Sequence, residues 1–138
     1  MQQAVTVSSR PQDAYRKQNV LTASPLELVV MLYDALKKNL VLGQRKIAKY
    51  DINGAHNCLM KAHDIVDELV GSLDMSYQMS EELLALYEFM LRNIEDANVR
   101  KDPAPLEVVI EMVDELRGAW HEISVSSKGS LHMGDEMA

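Results

Sequence analysis

The sequence predicts an all-α fold: an antiparallel up-down-up-down four-helix bundle preceded by an extended N-terminal arm. Three observations predict it. Apolar residues recur at three- and four-residue steps through four long stretches, the period of a helix with one buried stripe. Turn-forming residues gather between those stretches, at 50–54, 71–79 and 102–105, and short links between helices make antiparallel neighbours. Of 138 residues, 47% are hydrophobic but only 5% aromatic, and the low counts of Gly (6) and Pro (4) favour long helices over many turns.

The first helix is expected from Pro25 to Lys49. Ser24 and Glu27 have capping-box spacing, and Pro25 falls at the first helical position, where its missing N–H costs nothing. Its stripe reads Leu28, Leu32, Ala35, Leu36, Asn39, Leu40, Gly43 and Ile47. The opening turns are apolar nearly all round, from Leu26 through Leu28, Val29, Val30, Met31, Leu32 and Tyr33. A helix needs one such stripe for its own core, so the surplus is expected to wait for a partner. Arg45, Lys46 and Lys49 suit the negative end of the helix dipole.

The second helix is expected from Ile52 to Leu73, capped by Asp51 or Asn53. Ala55, Cys58, Leu59, Ala62, Ile65, Val66, Leu69 and Leu73 share its inner face. Ser80 is the expected N-cap of the third helix, which runs to Lys101 with Leu83, Leu84, Tyr87, Met90, Leu91, Ile94 and Ala97 inward. Glu88, Arg92, Asp96 and Arg100 alternate in sign on its other side, a solvated face. Asp102-Pro103-Ala104-Pro105 stops that helix and starts the fourth, whose stripe is Leu106, Val109, Ile110, Val113, Leu116, Trp120 and Ile123. Residues 1–21 read as a mobile arm and 22–125 as the bundle. Residues 126–138 read as a disordered tail, in part of the kind that cloning leaves (Gly129-Ser130, His132-Met133).

Composition excludes several classes. A net charge of −7 argues against nucleic acid as partner. A single cysteine, Cys58, rules out an internal disulfide and suits a reducing compartment. No apolar run approaches a membrane span, and the first residues do not resemble a secretory signal, so a soluble cytoplasmic protein without membrane insertion is expected.

Catalytic chemistry is not expected. A bundle di-metal centre needs Glu three residues before its histidines; His56, His63, His121 and His132 are preceded there by Asn53, Met60, Gly118 and Gly129. No zinc cysteine pair and no phosphate loop is present, so no metal, cofactor or catalytic residue is assigned. Cys58 reads as a small buried hydrophobe and Trp120 as core. His63, between Ala62 and Asp64, admits a histidine-phosphotransfer alternative. The carboxylates of Asp64, Asp67 and Glu68 would repel a phosphoryl group, and pairing with Asp67 one turn on is the plainer account. Glu107, Glu111 and Glu115 stack on one edge of the last helix and read as a solubilising face.

Several elements then match a known family in order along the chain. They are Ala14-Tyr15, Asn19-Val20, Thr22-Ala23-Ser24-Pro25, Leu28, Met31-Leu32-Tyr33-Asp34, Lys61-Ala62, Ile65-Val66, Glu68-Leu69, Ser72-Leu73-Asp74, Leu86-Tyr87, Met90, Ala97-Asn98, Asp102, Leu116-Arg117 and Ala119-Trp120. The sequence resembles the flagellar secretion chaperones of the FliS family. One departure is Ser76-Tyr77-Gln78-Met79, where the family often has a Gly-Gly turn. The resemblance implies a non-catalytic bundle that binds the disordered C-terminal segment of flagellin, preventing polymerisation before export. It also implies an arm that competes for the client groove. Carried onto this chain, the client residues would be Tyr15, Val20, Leu21 and Thr22 in the arm, and Pro25, Leu28, Val29, Met31 and Leu32 on the first helix. Asn98 and Val99 would join them from the third helix. The flagellar export gate is a second partner the resemblance allows, and the chain would be a monomer or a weak homodimer. A structural homodimer through the surplus stripe is the remaining alternative.

Overall fold

The computed structural model describes the backbone of residues 25–137 and the side chains of 26–126. Four helices follow one another, α1 (Pro25–Ala48), α2 (Ile52–Gly71), α3 (Gln78–Arg100) and α4 (Ala104–Met137), and no strand occurs among the described residues. The helices form a four-helix bundle. The chain divides into two compact units. One is Leu32–Ala119, which holds parts of all four helices; the other holds, among the described residues, 25–31 and 120–137.

Within Leu32–Ala119 the core is built from one stripe per helix. Tyr33, Leu36, Leu40 and Ile47 of α1 are buried with Ala55, Leu59, Ala62, Ile65, Val66 and Leu69 of α2. Leu83, Tyr87, Met90, Ile94 and Ala97 of α3 and Leu106, Val109 and Val113 of α4 complete it. The stripes of α2 and α3 lie where the periodicity puts them, with four exceptions: Cys58, Leu84 and Leu91 are half-buried at the margins, and Leu73, also half-buried, falls beyond the end of α2 at Gly71. The stripe of α1 is rotated from the expected one. Leu32, Ala35 and Asn39 are half-buried, while Tyr33 is wholly inside. The reason is polar: the Tyr33 and Tyr87 hydroxyls hydrogen-bond to each other at 2.5 Å, so two phenols enter the core with their oxygens satisfied. Burial pushes the Tyr87 phenol above its ordinary range, and that hydrogen bond pulls it partly back.

At Gly43 α1 and α2 come close. A Cβ on Gly43 would stand 2.6 Å from Cδ2 of Leu59, inside van der Waals contact, so a larger residue there would force the Leu59 side chain to shift. On the other side α1 meets α4 through polar pairs in antiparallel order. Arg117 Nε donates to Asp34 at 2.8 Å, Lys37 pairs with Asp114 at 2.8 Å, and Gln44 donates to Glu107 at 2.8 Å. Glu107 is therefore bonded within the chain, not simply part of a solvated edge.

The boundaries have local causes. Asp51 caps α2, its Oδ1 accepting from the Gly54 amide at 2.9 Å. That amide and then Lys46 hold the Asp51 carboxyl below the usual carboxylate range. Lys101 ends α3 in the left-handed region at φ 51°, and Asp102 accepts from the Ala104 amide at 2.9 Å as α4 begins. The third helix starts earlier than expected. Tyr77 is its N-cap, without a side-chain capping bond, whereas Ser80 is buried one turn in and donates to the Asp74 carbonyl at 2.6 Å. The fourth helix runs to Met137. No proline follows Pro105, so nothing in the backbone forbids helix propagation.

Candidate functional site

The opening turns of α1 carry the apolar run that the sequence marks out. Val30 there is buried at 7% exposure and Tyr33 wholly so; Leu26, Leu28, Val29, Met31 and Leu32 are all half-buried. At about 100° per residue, positions 28, 29, 31 and 32 share an arc of about 160° on the helix. Apolar area on that arc is thus left partly in water, on a stripe broader than the ~100° a helix needs to reach its own core. Leu26, Leu28, Val29 and Met31 belong to the smaller unit, and Leu32 is the first residue of the larger. Tyr15, Val20, Leu21, Thr22 and the Ser24 cap lie outside the described residues, as does the side chain of Pro25.

Asn98 and Val99 belong to the larger unit and behave differently from each other. Val99 is 83% exposed. Asn98 is tied into the fold: its Nδ2 lies 3.0 Å from His56 Nδ1 on α2, and Lys101 Nζ donates to its carbonyl and side-chain oxygens at 2.6 and 2.8 Å. Its evident work is to fasten the end of α3 to α2.

His63 bridges α2 to α3. Its Nε2 lies 2.8 Å from Glu95 Oε2 and its Nδ1 3.4 Å from Asp67. Both ring nitrogens face carboxylates, which leaves neither presented for phosphorylation. The Asp67 pairing was readable from the sequence; Glu95, on another helix, was not. Trp120 is half-buried and Ile123 exposed, so the inward stripe of α4 weakens beyond Val113, contrary to expectation. Among the described residues no helix is long and apolar enough to cross a membrane.

Comparison with known proteins decides the family. The sequence profile of the family described as "Flagellar protein FliS" matches residues 8–127. The chain belongs to the FliS family. The Flagellar secretion chaperone FliS of Bacillus subtilis (strain 168) is 32% identical over 122 residues, 88% of this chain and 92% of the relative. That of Salmonella typhimurium (strain LT2) is 32% identical over 108 residues, 76% and 80% of the two chains. That of Vibrio cholerae serotype O1 is 34% identical over 116 residues, 80% and 85%. By name this is a chaperone family and not an enzyme family.

Residues that carry the family resemblance now have physical roles. Tyr33 meets Tyr87 inside the core and Asp34 meets Arg117 outside it, joining elements that are far apart in sequence. These family residues hold the bundle. Leu28 and Met31, from the same run of matches, are half-buried and keep part of their surface in solvent.

Proposed function

We propose that this chain is a cytoplasmic export chaperone whose client is the disordered C-terminal segment of flagellin. Bound there, the segment cannot join other flagellin chains, and the client stays competent for flagellar type III secretion. The observation that carries this reading is the run of half-buried apolar side chains on the opening turns of α1, in a chain whose relatives are named flagellar secretion chaperones. An amphipathic segment folding on binding would lay its apolar anchors on Leu28, Val29, Met31 and Leu32. Ordering the client costs several kcal/mol, and each buried Leu or Met returns roughly 1.5–3 kcal/mol, so a few anchors suffice for a stable but reversible complex. Met31 suits the task because its unbranched thioether adapts to varied partners. Tyr15, Val20, Leu21 and Thr22 would form the competing arm, and Pro25 would set where α1 starts. Val99 would be a secondary contact, with Asn98 holding it in place. The free protein would be a monomer or weak homodimer, with the export gate as the receiver of the complex.

The test is calorimetric titration of the full chain with a flagellin C-terminal peptide, beside Met31→Asp and Val29→Asp variants checked by circular dichroism. Removing one such anchor should weaken binding by roughly tenfold or more while helicity is kept. Retained helicity with unchanged affinity would remove α1 from the client surface. Deleting residues 1–21 should tighten binding if the arm competes with the client.

A further inference from the structure

The end of the bundle where α2 turns into α3 has a composition that the client reading does not use. From 62 to 91 the sequence has no Lys or Arg, while Asp and Glu recur throughout. At the turn itself Asp74, Glu81 and Glu82 are exposed. So are three large apolar side chains: Met75 at 50%, Tyr77 at 64% and Met79 at 60%. The loop is inside out. Ser80, the residue suited to cap α3, points inward to the Asp74 carbonyl, and Tyr77 takes the cap position with its ring in water. Nor is the loop loosely held. Asp74 Oδ1 accepts from the Ser76 hydroxyl at 2.6 Å and from the Ser76 amide at 3.0 Å. Those two bonds hold the Asp74 carboxyl below the usual carboxylate range, which keeps its charge at neutral pH.

We propose that this tip is a docking site for a basic amphipathic segment of a partner polypeptide. Its apolar side chains would seat on Met75, Tyr77 and Met79, and its Lys or Arg residues would face Asp74, Glu81 and Glu82. Charge complementarity selects this occupant. A second copy of the chain would bring the same carboxylates against themselves, and anionic lipid would be repelled in the same way. A cationic segment is drawn in, and the Tyr77 ring offers it a face for cation–π contact. Paired methionines make the seat adaptable, so it suits a class of sequences in place of one. The proposal uses none of the residues assigned to the flagellin segment, so either can fail without the other.

The experiment is a nuclear magnetic resonance titration of the isotope-labelled full chain with a Leu/Lys amphipathic helical peptide of about 18 residues, and with its Leu/Glu counterpart. Saturable amide shifts confined to residues 73–86 are expected with the basic peptide and none with the acidic one. The combined variant M75S/Y77S/M79S, changing only exposed side chains, should lose about tenfold in affinity with helicity unchanged. E81Q/E82Q should flatten the salt dependence. Shifts spread along the Glu107, Glu111 and Glu115 edge would overturn the proposal. So would binding of the acidic peptide, or unaltered affinity in the serine variant.

Discussion

Replacing Gly43 by alanine sets two effects of known sign against each other. In a helix interior the change alone stabilises by about 1 kcal/mol, because alanine loses less backbone freedom on folding. Here the new Cβ would lie 2.6 Å from Leu59 Cδ2 and 3.2 Å from its Cγ, and Leu59 is fully buried. Leu59 must therefore move within a packed core, at about 1–3 kcal/mol. Gly43→Ala should come out between neutral and roughly 2 kcal/mol destabilising, a fall in midpoint of several degrees. Gly118 is the control. It also lies inside a helix, a methyl there would meet nothing within 4 Å, and Gly118→Ala should stabilise by about 1 kcal/mol. Thermal and guanidinium unfolding followed by circular dichroism reads both. Adding Leu59→Ala to the Gly43 variant should cost less than its usual ~2–5 kcal/mol, because the new methyl fills part of the space. If Gly43→Ala stabilises as much as Gly118→Ala, the close approach of α1 to α2 is wrong.

Further outcomes concern pH and caps. The Tyr87 phenol is raised by burial, so its contribution is whole below the ordinary tyrosine value near 10 and is lost as pH rises through the folded value. Unfolding midpoints should fall on the alkaline side of pH 10, and less steeply in Tyr87→Phe. The Asp51 carboxyl is lowered by the Gly54 amide, so its contribution is present above about pH 4 and lost as pH falls through the folded value. Asp51→Asn should keep the cap and blunt the acid limb, whereas Asp51→Ala should lower the midpoint at neutral pH as well. Tyr50 sits at φ 61° and is 87% exposed, so Tyr50→Gly should be neutral to slightly stabilising in the same unfolding assay.

Much of the bundle was legible because a helical stripe is written locally. Leu59, Ala62, Val66 and Leu69, or Leu83, Met90 and Ile94, declare their face by spacing alone. The rotation of α1 was not legible, since it depends on two tyrosine hydroxyls 54 residues apart finding each other. Ser80 misled for a related reason. By local chemistry it is a cap, but a hydroxyl can also satisfy a buried carbonyl, and only the fold reveals that the Asp74 carbonyl is there. The partly exposed apolar run on α1 was readable because too many consecutive residues were apolar for one stripe. The ties of Asn98 to His56 and Lys101 were not readable, because they combine a cross-helix bond with a left-handed helix end. Cys58 shows the limit of a stripe: four-residue spacing places a side chain near the interior without saying whether the neighbour covers it.

The pairs Asp34–Arg117, Lys37–Asp114 and Gln44–Glu107 bear on how the chain avoids a wrong alignment of its first and last helices. Sliding α4 by one turn would set Asp34 against Val113 or His121, and Lys37 against Ile110 or Gly118, so each ionic partner would be lost. Exposed pairs of this kind add little strength, yet a one-turn slide disrupts the Asp34–Arg117 and Lys37–Asp114 pairs together. The Asp34–Arg117 bond also closes a separation of 83 residues, which only a chain already bearing its last helix can do. During synthesis the correct alignment can thus be chosen only once α4 has followed α1, α2 and α3 out of the ribosome.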